Sequence, residues 1–348
     1  MDCLRLCCPK WSISGTSGRS LLMRILIIPI MALLLLASLA CSSEGNPIVF
    51  TSNIDGNQEI FSLDPEKAEL VNLTKSSSNE YAPALSPDGS RLAFLSGDDE
   101  HNVLQVITLN GESANRTSVS EFDGGHRDHR WAPTSERLAY LVQNGGDPTT
   151  HVSGYDGSTT MALTMIVAHE VGGWSYDGSS VVFTVRGGAG QGIYIRNPDG
   201  VNEVRLTDQN DYMPVWSPNS HKIAFISERD GNPEIYVMNS DATELKRLTE
   251  SSSTEYDISW SPNGRKLAFV SERDGNPEIY VVDVRDGEVN RLTHNSVRDD
   301  QPVWSRDGKR IAFVSYHDGD GEIVMMDGDG TNQQRLTNNG YDDYAPTW

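Results

Sequence analysis

Short apolar runs separated by polar turns recur along the chain, and one copy shows the pattern clearly. Its runs are residues 214–216, 223–226 and 235–238, followed by the word Arg-Leu-Thr at 247–249. Runs rich in Val, Ile, Phe, Tyr and Trp that are bounded by Asp-Gly, Asn-Gly or Pro turns predict strands. Polar residues scarcely interrupt residues 223–226, which indicates a strand buried on both faces of its sheet. Each copy therefore predicts a four-stranded antiparallel sheet.

The copies follow one another at a nearly constant spacing. Aligned on a tryptophan, they form one column with steps of 46, 43, 42, 44, 44 and 44 residues. The members of this column are Leu85 (a substituted first copy), Trp131, Trp174, Trp216, Trp260, Trp304 and Trp348. A fixed period in this range is typical of repeat architectures, and about 40 to 45 residues per four-stranded unit is typical of a β-propeller blade. We therefore expect an all-β propeller.

Two series of strands predict the number of blades. Strands of the Ile-Ala-Phe type begin at Ile48, Leu92, Leu138, Val181, Ile223, Leu267 and Ile311. The first has no tryptophan strand before it, and the tryptophan strand at 345–348 has no such strand after it. We expect the two segments to share one blade with the C-terminal strand innermost, because this pairing removes two exposed edges. The prediction is a seven-bladed propeller over residues 47–348, with six blades as the alternative.

The first 46 residues have the pattern of an export signal rather than of a blade. Arg24 precedes an apolar run at 25–40, which is short for a membrane span and suits a signal peptide. The run ends in Ala40-Cys41 and resembles a bacterial lipoprotein signal. We expect a signal peptide at 1–40, lipidation at Cys41 and a tether at 41–46, with ordinary signal-peptidase cleavage or an uncleaved anchor as alternatives. Met23 is a better start for such a signal than Met1, so residues 1–22 are candidates for an over-extended reading frame.

Charge and cysteine content narrow the range of partners. The chain has 28 basic and 49 acidic residues, a formal net charge of −21. No basic stripe is visible, so nucleic acid is not an expected partner. All four cysteines precede the repeats, so we expect a propeller without disulfide bonds that is stabilised by blade packing. We expect a monomer and no cofactor.

Two columns of residues precede the tryptophan column and define the candidate binding site. Five positions before each tryptophan-column residue stand Glu80, His126, His169, Asp211, Glu255, Asp299 and Asp343. The next position holds four tyrosines, which are Tyr81, Tyr212, Tyr256 and Tyr344. If the innermost strands line the central channel, these residues form an acidic, tyrosine-bordered mouth that attracts cationic or amide-rich segments. The alternative is that each acidic side chain accepts hydrogen bonds within its own loop.

Three histidines in the two most divergent copies suggest a second site. His126, His129 and His169 replace parts of the regular Asp-Tyr-x-Pro-x-Trp pattern, and imidazoles that converge bind transition metals. The alternative is that these loops have drifted in sequence without gaining a ligand. No residue is assigned as catalytic, because the chain has no Gly-x-Ser-x-Gly nucleophile elbow.

The repeat words resemble those of a known family. Pro-x-Trp-Ser-Pro-Asn at 214–219, Ile-Ala-Phe-Ile-Ser at 223–227, Glu-Ile-Tyr-Val-Met at 234–238 and Arg-Leu-Thr at 247–249 resemble the WD40-like propeller repeat of the TolB family. That resemblance implies a protein-interaction platform in the bacterial envelope, with partner segments docking at the channel mouth. TolB itself also has an N-terminal α/β domain and usually six blades, and we expect this chain to differ in both respects. Related repeats form the lids of prolyl oligopeptidases and the body of oligogalacturonate lyases.

These observations lead to one functional expectation and one alternative. We expect a membrane-tethered envelope propeller that binds a protein or peptide through its acidic mouth without catalysing a reaction. The alternative is a polysaccharide lyase or hydrolase that uses the region of His126, His129 and His169, with or without a metal. Because propellers host unrelated functions, the fold alone does not decide between them.

Overall fold

The computed structural model describes the repeat region with a few gaps. The described residues are 47–98, 101–109, 115–120, 125–143, 145–164 and 167–348. The expected signal peptide at 1–40, the tether at 41–46 and the candidate lipidation site Cys41 lie outside them. Within the described residues, 28 strands form seven four-stranded antiparallel sheets, so the seven-bladed propeller is confirmed and the six-bladed alternative is wrong.

The strands of the first four blades follow the chain in order. Blade 1 has β1 (Ile48–Ser52), β2 (Glu59–Asp64) and β3 (Glu69–Asn72); blade 2 has β4 (Glu80–Leu85), β5 (Arg91–Gly97), β6 (Asn102–Thr108) and β7 (Arg116–Ser118); blade 3 has β8 (Gly125–Trp131), β9 (Arg137–Gln143), β10 (Thr149–Gly154) and β11 (Met161–Ala162); blade 4 has β12 (Glu170–Trp174), β13 (Val181–Val185), β14 (Gly192–Arg196) and β15 (Val204–Arg205). A short 3-10 helix, Gly188–Gly190, lies between β13 and β14.

The last three blades repeat the same order most regularly. Blade 5 has β16 (Asp211–Trp216), β17 (Lys222–Ser227), β18 (Glu234–Asn239) and β19 (Lys246–Arg247); blade 6 has β20 (Glu255–Trp260), β21 (Lys266–Ser271), β22 (Glu278–Asp283) and β23 (Val289–Arg291); blade 7 has β24 (Asp299–Trp304), β25 (Arg310–Ser315), β26 (Glu322–Asp327) and β27 (Gln334–Arg335); β28 (Asp343–Thr347) completes blade 1. Among the described residues, no helix is long and apolar enough to cross a membrane.

The core lies between adjacent blades. In blade 5 the second strand, β17, is buried at five of its six positions, because both of its faces are covered. Ala224 and Ile226 of that strand pack with Leu267 and Phe269 of blade 6, and equivalent clusters join the other neighbouring blades. The second strand is uninterruptedly apolar because neighbouring blades cover both faces of its sheet, as the sequence predicted.

Blade 1 closes the ring with strands from both ends of the propeller. β28 pairs with β1, with Val49 opposite Thr347 and Thr51 opposite Tyr344. Across the seam between blades 7 and 1, Nη1 of Arg310 lies 2.7 Å from Oε1 of Glu66, and its guanidinium lies 5.4 Å from the Trp348 ring centroid. The predicted closure, with the C-terminal strand innermost, is confirmed.

The Arg-Leu-Thr word completes a buried ionic cluster in each regular blade. Glu234 is fully buried in the third strand of blade 5, and Arg247 Nη2 lies 2.7 Å from its Oε1. Thr249 Oγ1 donates to Glu234 Oε2 at 2.7 Å and accepts the backbone N–H of Ile235 at 2.9 Å. Arg291 and Arg335 contact Glu278 and Glu322 in the same way. A buried carboxylate needs such partners, so Glu and Arg-Leu-Thr recur together in the sequence.

Three tryptophans of the column, Trp131, Trp174 and Trp260, donate a hydrogen bond to the preceding blade. The indole N–H of Trp131 donates to the carbonyl oxygen of Ala84 at 2.8 Å, and that of Trp260 donates to Val215 at 3.1 Å. These bonds cross from one innermost strand to the next, where the strands converge around the channel. The recurring tryptophan therefore fixes the spacing of neighbouring blades as well as filling the core.

Candidate functional site

A β-bulge interrupts the innermost strand of the blades near one mouth of the channel. In blade 5, Tyr212 pairs with Ile226 and Val215 with Ala224, so Met213 and Pro214 together face one residue. Met213 has a φ of 50°, in the left-handed region that side chains rarely adopt. Equivalent residues with φ between 50° and 54° are Ala82, Asp128, Asp257, Gln301 and Ala345.

Blade 4 forms its bulge with a glycine instead. Val171 pairs with Phe183 and Gly173 with Val182, which leaves Gly172 unpaired. A Cβ atom at Gly172 would lie 1.9 Å from the carbonyl oxygen of Pro214 in blade 5, so no other residue fits without movement of the backbone. The backbones of blades 4 and 5 therefore lie in close contact at this point of the channel wall.

The bulges are linked from blade to blade by side chains. The backbone N–H of Met213 donates to Oε2 of Glu170 at 2.6 Å. The N–H of Gln301 donates to Oδ2 of Asp257 at 3.3 Å, and that of Ala345 donates to Oε1 of Gln301 at 2.7 Å. Asp257, Gln301 and Ala345 thus form a chain of contacts across blades 6, 7 and 1. This column was not predicted from the sequence, although its residue type changes in almost every copy while its neighbours stay similar.

The acidic column lies inside the blades rather than on the channel surface. Glu80, Asp211, Glu255, Asp299 and Asp343 are each at most 1% exposed. Arginine partners contact the first three: Arg116 Nη1 lies 2.6 Å from Glu80, Arg229 Nη2 lies 2.9 Å from Asp211, and Arg273 Nη2 lies 2.6 Å from Glu255. These carboxylates therefore hold each innermost strand to its own blade.

Hydroxyl and amide groups replace the arginine in the remaining acidic positions. Asp299 accepts hydrogen bonds from Ser315 Oγ at 2.5 Å and Asn295 Nδ2 at 2.6 Å, and Asp343 accepts one from Asn339 Nδ2 at 2.8 Å. Burial raises the pKa of both carboxyls, and it raises the pKa of Glu255 to about 6. These side chains do not form an accessible ring of seven acidic and imidazole groups, because the five acidic ones are buried and bound to partners inside the propeller.

The tyrosine column forms part of the accessible mouth. Tyr81, Tyr212, Tyr256 and Tyr344 are all half-buried. Tyr212 donates its hydroxyl hydrogen to Glu228 Oε1 at 3.3 Å, and the guanidinium of Arg186 lies 4.5 Å from its ring centroid. Burial and the nearby Glu228 raise the pKa of Tyr212 to about 12, so this phenol remains a hydrogen-bond donor at neutral pH.

Arginines accompany the tyrosines, which corrects the expectation of an acidic mouth bordered by tyrosines. Arg127 is exposed beside the buried His126, and Arg186 pairs with Glu170. Arg298 Nε lies 2.5 Å from Oδ2 of the fully buried Asp300, which stands in blade 7 at the position where four other blades have a tyrosine. Arginine side chains of blades 3, 4 and 7 therefore lie among the tyrosines at the mouth. Arg186 and Arg298 are not members of the two sequence columns, because Arg186 follows the second strand of blade 4 and Arg298 precedes the innermost strand of blade 7.

The arginine of blade 7 covers a small cluster of aromatic and acidic groups. The Arg298 guanidinium lies 5.3 Å from the Tyr316 ring centroid, and its side chain is 55% exposed. Burial raises the pKa of Asp300 to about 6, and it raises the pKa of Asp257 in the neighbouring blade. This cluster offers one exposed guanidinium and the phenol ring of Tyr316 to a ligand at the mouth.

The three histidines do not come together as a group of metal ligands. His126 is fully buried, with Nε2 2.6 Å from Ser120 Oγ and Nδ1 2.7 Å from the carbonyl oxygen of Asn102. His129 is 3% exposed, and burial, with the nearby Arg130, lowers its pKa to about 3. His169 is half-buried and accepts the backbone N–H of Arg186 at 3.0 Å. In the part of the chain that the structure describes, no three His, Cys, Asp or Glu side chains are arranged to hold a metal ion.

Fold and mouth together define a closed seven-bladed β-propeller with a mixed tyrosine and arginine surface around one end of its channel. The sequence profile of the TolB β-propeller domain family, PD40, matches residues 36–210 and 209–348. The chain belongs to this family, as its repeat words indicated.

This chain is similar to proteins named TolB homolog over part of its length. A protein named TolB homolog from Chlorobium luteolum is 29% identical over 196 residues, which are 56% of this chain and 34% of the relative. A second TolB homolog, from Chlorobium chlorochromatii, is 30% identical over 53% of this chain and 32% of its own length. This chain thus aligns with about one third of the length of each relative.

Solved structures support the same architecture. TolB from Acinetobacter baumannii superimposes with a TM-score of 0.58 at 21% identity, covering 83% of this chain and 78% of its own. An oligogalacturonate lyase solved in complex with manganese superimposes with a TM-score of 0.67 at 16% identity, covering 80% and 84%. At these identities the likeness concerns the fold alone, because propellers with different functions share it.

Proposed function

We propose that the propeller is a non-catalytic platform that binds a protein or peptide segment at the mouth bordered by the tyrosine column. The observation that carries the proposal is the half-buried tyrosines beside exposed arginine side chains at one end of a closed ring. Tyrosine and arginine are enriched at the energetically important positions of protein interfaces. Membership of the TolB β-propeller domain family and the similarity to proteins named TolB homolog also support this proposal.

The acidic column contributes to this function indirectly. Asp211 and Glu255 hold the strands that carry Tyr212 and Tyr256, because each carboxylate pairs with an arginine of the following hairpin. The tyrosines are thereby kept in position before a partner arrives, which reduces the entropy lost on binding. Replacing these acids would damage the scaffold, so they are unsuitable for testing the mouth itself.

We further propose that the propeller works in the bacterial envelope, exported by residues 1–40 and tethered through Cys41 and residues 41–46. The apolar run before Cys41 supports this location, as does the resemblance to the TolB family. A partner would then be an envelope protein or peptide. Nucleic acid remains an unexpected partner because the net charge is −21.

The test is affinity capture from detergent-solubilised envelopes of the source organism. Wild-type propeller is compared with a Tyr212→Ala/Tyr256→Ala variant, with Arg127→Glu as a second mouth variant that leaves the blade core untouched. Tyr176→Ala is the matched control, because Tyr176 is 70% exposed in the turn between the first and second strands of blade 4, away from the mouth. All four proteins should first show the same melting temperature within a few degrees.

We expect a protein retained by wild type and by the control but lost by both mouth variants. Direct titration of that purified protein should then give at least a tenfold weaker affinity for the mouth variants, as expected for interface anchors worth more than about 1.4 kcal/mol. Equal retention by all four proteins would reject the mouth as the binding surface. Retention by none would remove the main support for an interaction platform.

A further inference from the structure

A groove lies between blades 5 and 6 on the face opposite the tyrosine-bordered mouth. It has a volume of about 890 Å³ and is lined by the turns that join the first to the second strand and the third to the fourth strand of each blade. Strands of a meander place these turns at one end and the second-to-third hairpins at the other. The groove is therefore separate from the surface proposed above for partner binding.

The groove is lined with positive charge in a strongly acidic protein. Lys246 is half-buried, and its ammonium donates to the carbonyl oxygens of Val284 at 3.1 Å and Arg285 at 2.8 Å in the facing blade. These carbonyl groups satisfy its hydrogen bonds but do not neutralise its charge. Arg265 is exposed at the rim, and no carboxylate of the described residues forms an ion pair with it. The lining also holds the carboxylates of Asp283 and Glu244, but neither forms an ion pair with Lys246 or Arg265. With four cationic and two acidic side chains in the lining, the groove has an excess of two positive charges.

Two further cations lie along the same groove, each with an exposed acidic neighbour. Lys222 Nζ lies 3.5 Å from Oε2 of Glu244, whose side chain is 72% exposed. Arg285, with a side chain that is 86% exposed, lies 3.1 Å from Asp286. Exposed pairs of this kind are weak and exchange partners easily, so both cations are available to an incoming anion.

The groove between blades 6 and 7 has a different balance of charge. It has a volume of about 330 Å³ and is lined by Lys266 and Lys309 and by Asp327 and Asp329, so its charges are equal in number. Asp327 is the counterpart of Asp283. In the aligned repeats, Asp329 stands where Arg285 does and Gly328 stands where Val284 does. The repeat scaffold therefore does not require a cationic groove here.

We propose that the groove between blades 5 and 6 binds an acidic peptide segment that also carries an apolar side chain. Leu245 is 47% exposed, and Val237 and Val284 line the groove beside it, so an apolar contact lies between the cations. Carboxylates that face Lys246 and Arg265 would flank that contact. A uniformly hydrophilic anionic polysaccharide would not use Leu245, so the mixed lining favours a peptide. This inference is independent of binding at the mouth.

The test uses a fluorescein-labelled eight-residue peptide of glutamates with two leucines, titrated with the propeller and followed by fluorescence anisotropy. The groove variant is Arg265→Ala/Arg285→Ala, which changes two exposed side chains and leaves Lys246 and its inter-blade bonds intact. The matched control is Lys266→Ala/Lys309→Ala in the groove between blades 6 and 7. We expect about tenfold weaker binding by the groove variant, less than a twofold change in the control, and weaker binding of wild type as salt increases.

Several outcomes would overturn the proposal. No saturable binding by wild type, or an equal loss in the groove variant and the control, would mean that the groove is not a specific site. Stronger binding of a galacturonate oligomer than of the peptide would replace the assigned ligand class by an acidic saccharide. Concentration-dependent self-association of wild type in analytical ultracentrifugation, abolished by Arg265→Ala/Arg285→Ala, would assign the groove to a second copy of the chain.

Discussion

His129 makes blade 3 sensitive to acid, and replacing it with proline should remove part of that sensitivity. The imidazole is 3% exposed, and it occupies the position that proline fills in four other copies, namely Pro83, Pro214, Pro302 and Pro346. The preceding Asp128 has a φ of 51°, close to the 50° of Met213 before Pro214. Proline at 129 is therefore compatible with the local backbone.

The amount of stability lost in acid follows from the pKa of His129. Burial, together with the charge of Arg130, lowers this pKa from 6.5 to about 3, so the folded state requires the neutral imidazole. The stability contributed by this group is complete above about pH 6.5 and is lost progressively as the pH falls toward 3. At pH 5 the loss is about 2 kcal/mol, because each pKa unit corresponds to about 1.4 kcal/mol.

The assay is urea unfolding of wild type and His129→Pro at pH 8 and pH 5. Buried Glu255 and Asp300, each with a pKa of about 6, contribute a pH dependence of the opposite sign, since their raised pKa values favour the folded state at lower pH. Because both proteins contain those carboxyls, the informative quantity is the difference in the free energy of unfolding between the variant and wild type. That difference should shift by about 2 kcal/mol in favour of the variant on going from pH 8 to pH 5.

The control is His221→Gln, which replaces an exposed imidazole and leaves the buried His129 in place. Parallel loss of stability in wild type and His129→Pro between pH 8 and pH 5 would refute the reasoning. A variant that is less stable at both values by the same amount would show a packing effect of proline without a contribution from imidazole protonation.

Three further predictions concern closure, the channel wall and the membrane tether. Stopping the chain after Asn339 removes β28, so thermal denaturation should show a lower melting temperature; an unchanged value would contradict the closure. Gly172→Ala should destabilise the fold by about 1–3 kcal/mol in urea unfolding, because its Cβ meets the Pro214 carbonyl, whereas Gly146→Ala in open space should be nearly neutral; equal effects would contradict the close approach. Cys41→Ser should abolish metabolic labelling with palmitate, and labelling that persists would exclude lipidation at this residue.

The sequence predicted those parts of the fold that every repeat must contain. The constant spacing of the tryptophan column and the offset of the Ile48 series gave the number of blades and the pairing of β28 with β1. The Arg-Leu-Thr word was visible as a repeat, but its partner Glu234 lies 13 residues earlier on a different strand. That contact depends on strand register, which a recurring word does not specify.

The channel mouth was harder to predict because it depends on backbone geometry and on neighbouring blades. Asp211 and Arg229 are 18 residues apart, and nothing in their spacing indicates that the arginine turns back onto the innermost strand. The left-handed backbone conformation of Met213 and Gln301 could not be predicted from the sequence either, since neither residue type favours that conformation. The sequence offered one indication of the bulge column, which is that its residue type differs from copy to copy. Positions that differ between copies are those at which the repeat does not require a particular side chain.

Blade 1 should fold at a different stage from the other six blades. Blade 5 draws its strands from the continuous segment Asp211–Arg247, whereas the contact between Asp342 and Asn53 in blade 1 joins residues 289 positions apart. Local blades should therefore form first and blade 1 last, because closing so long a loop costs more chain entropy before any contact compensates for it. Until β28 reaches β1, two strand edges stay unpaired, and it is during this interval that a newly made chain is most exposed to edge-to-edge aggregation.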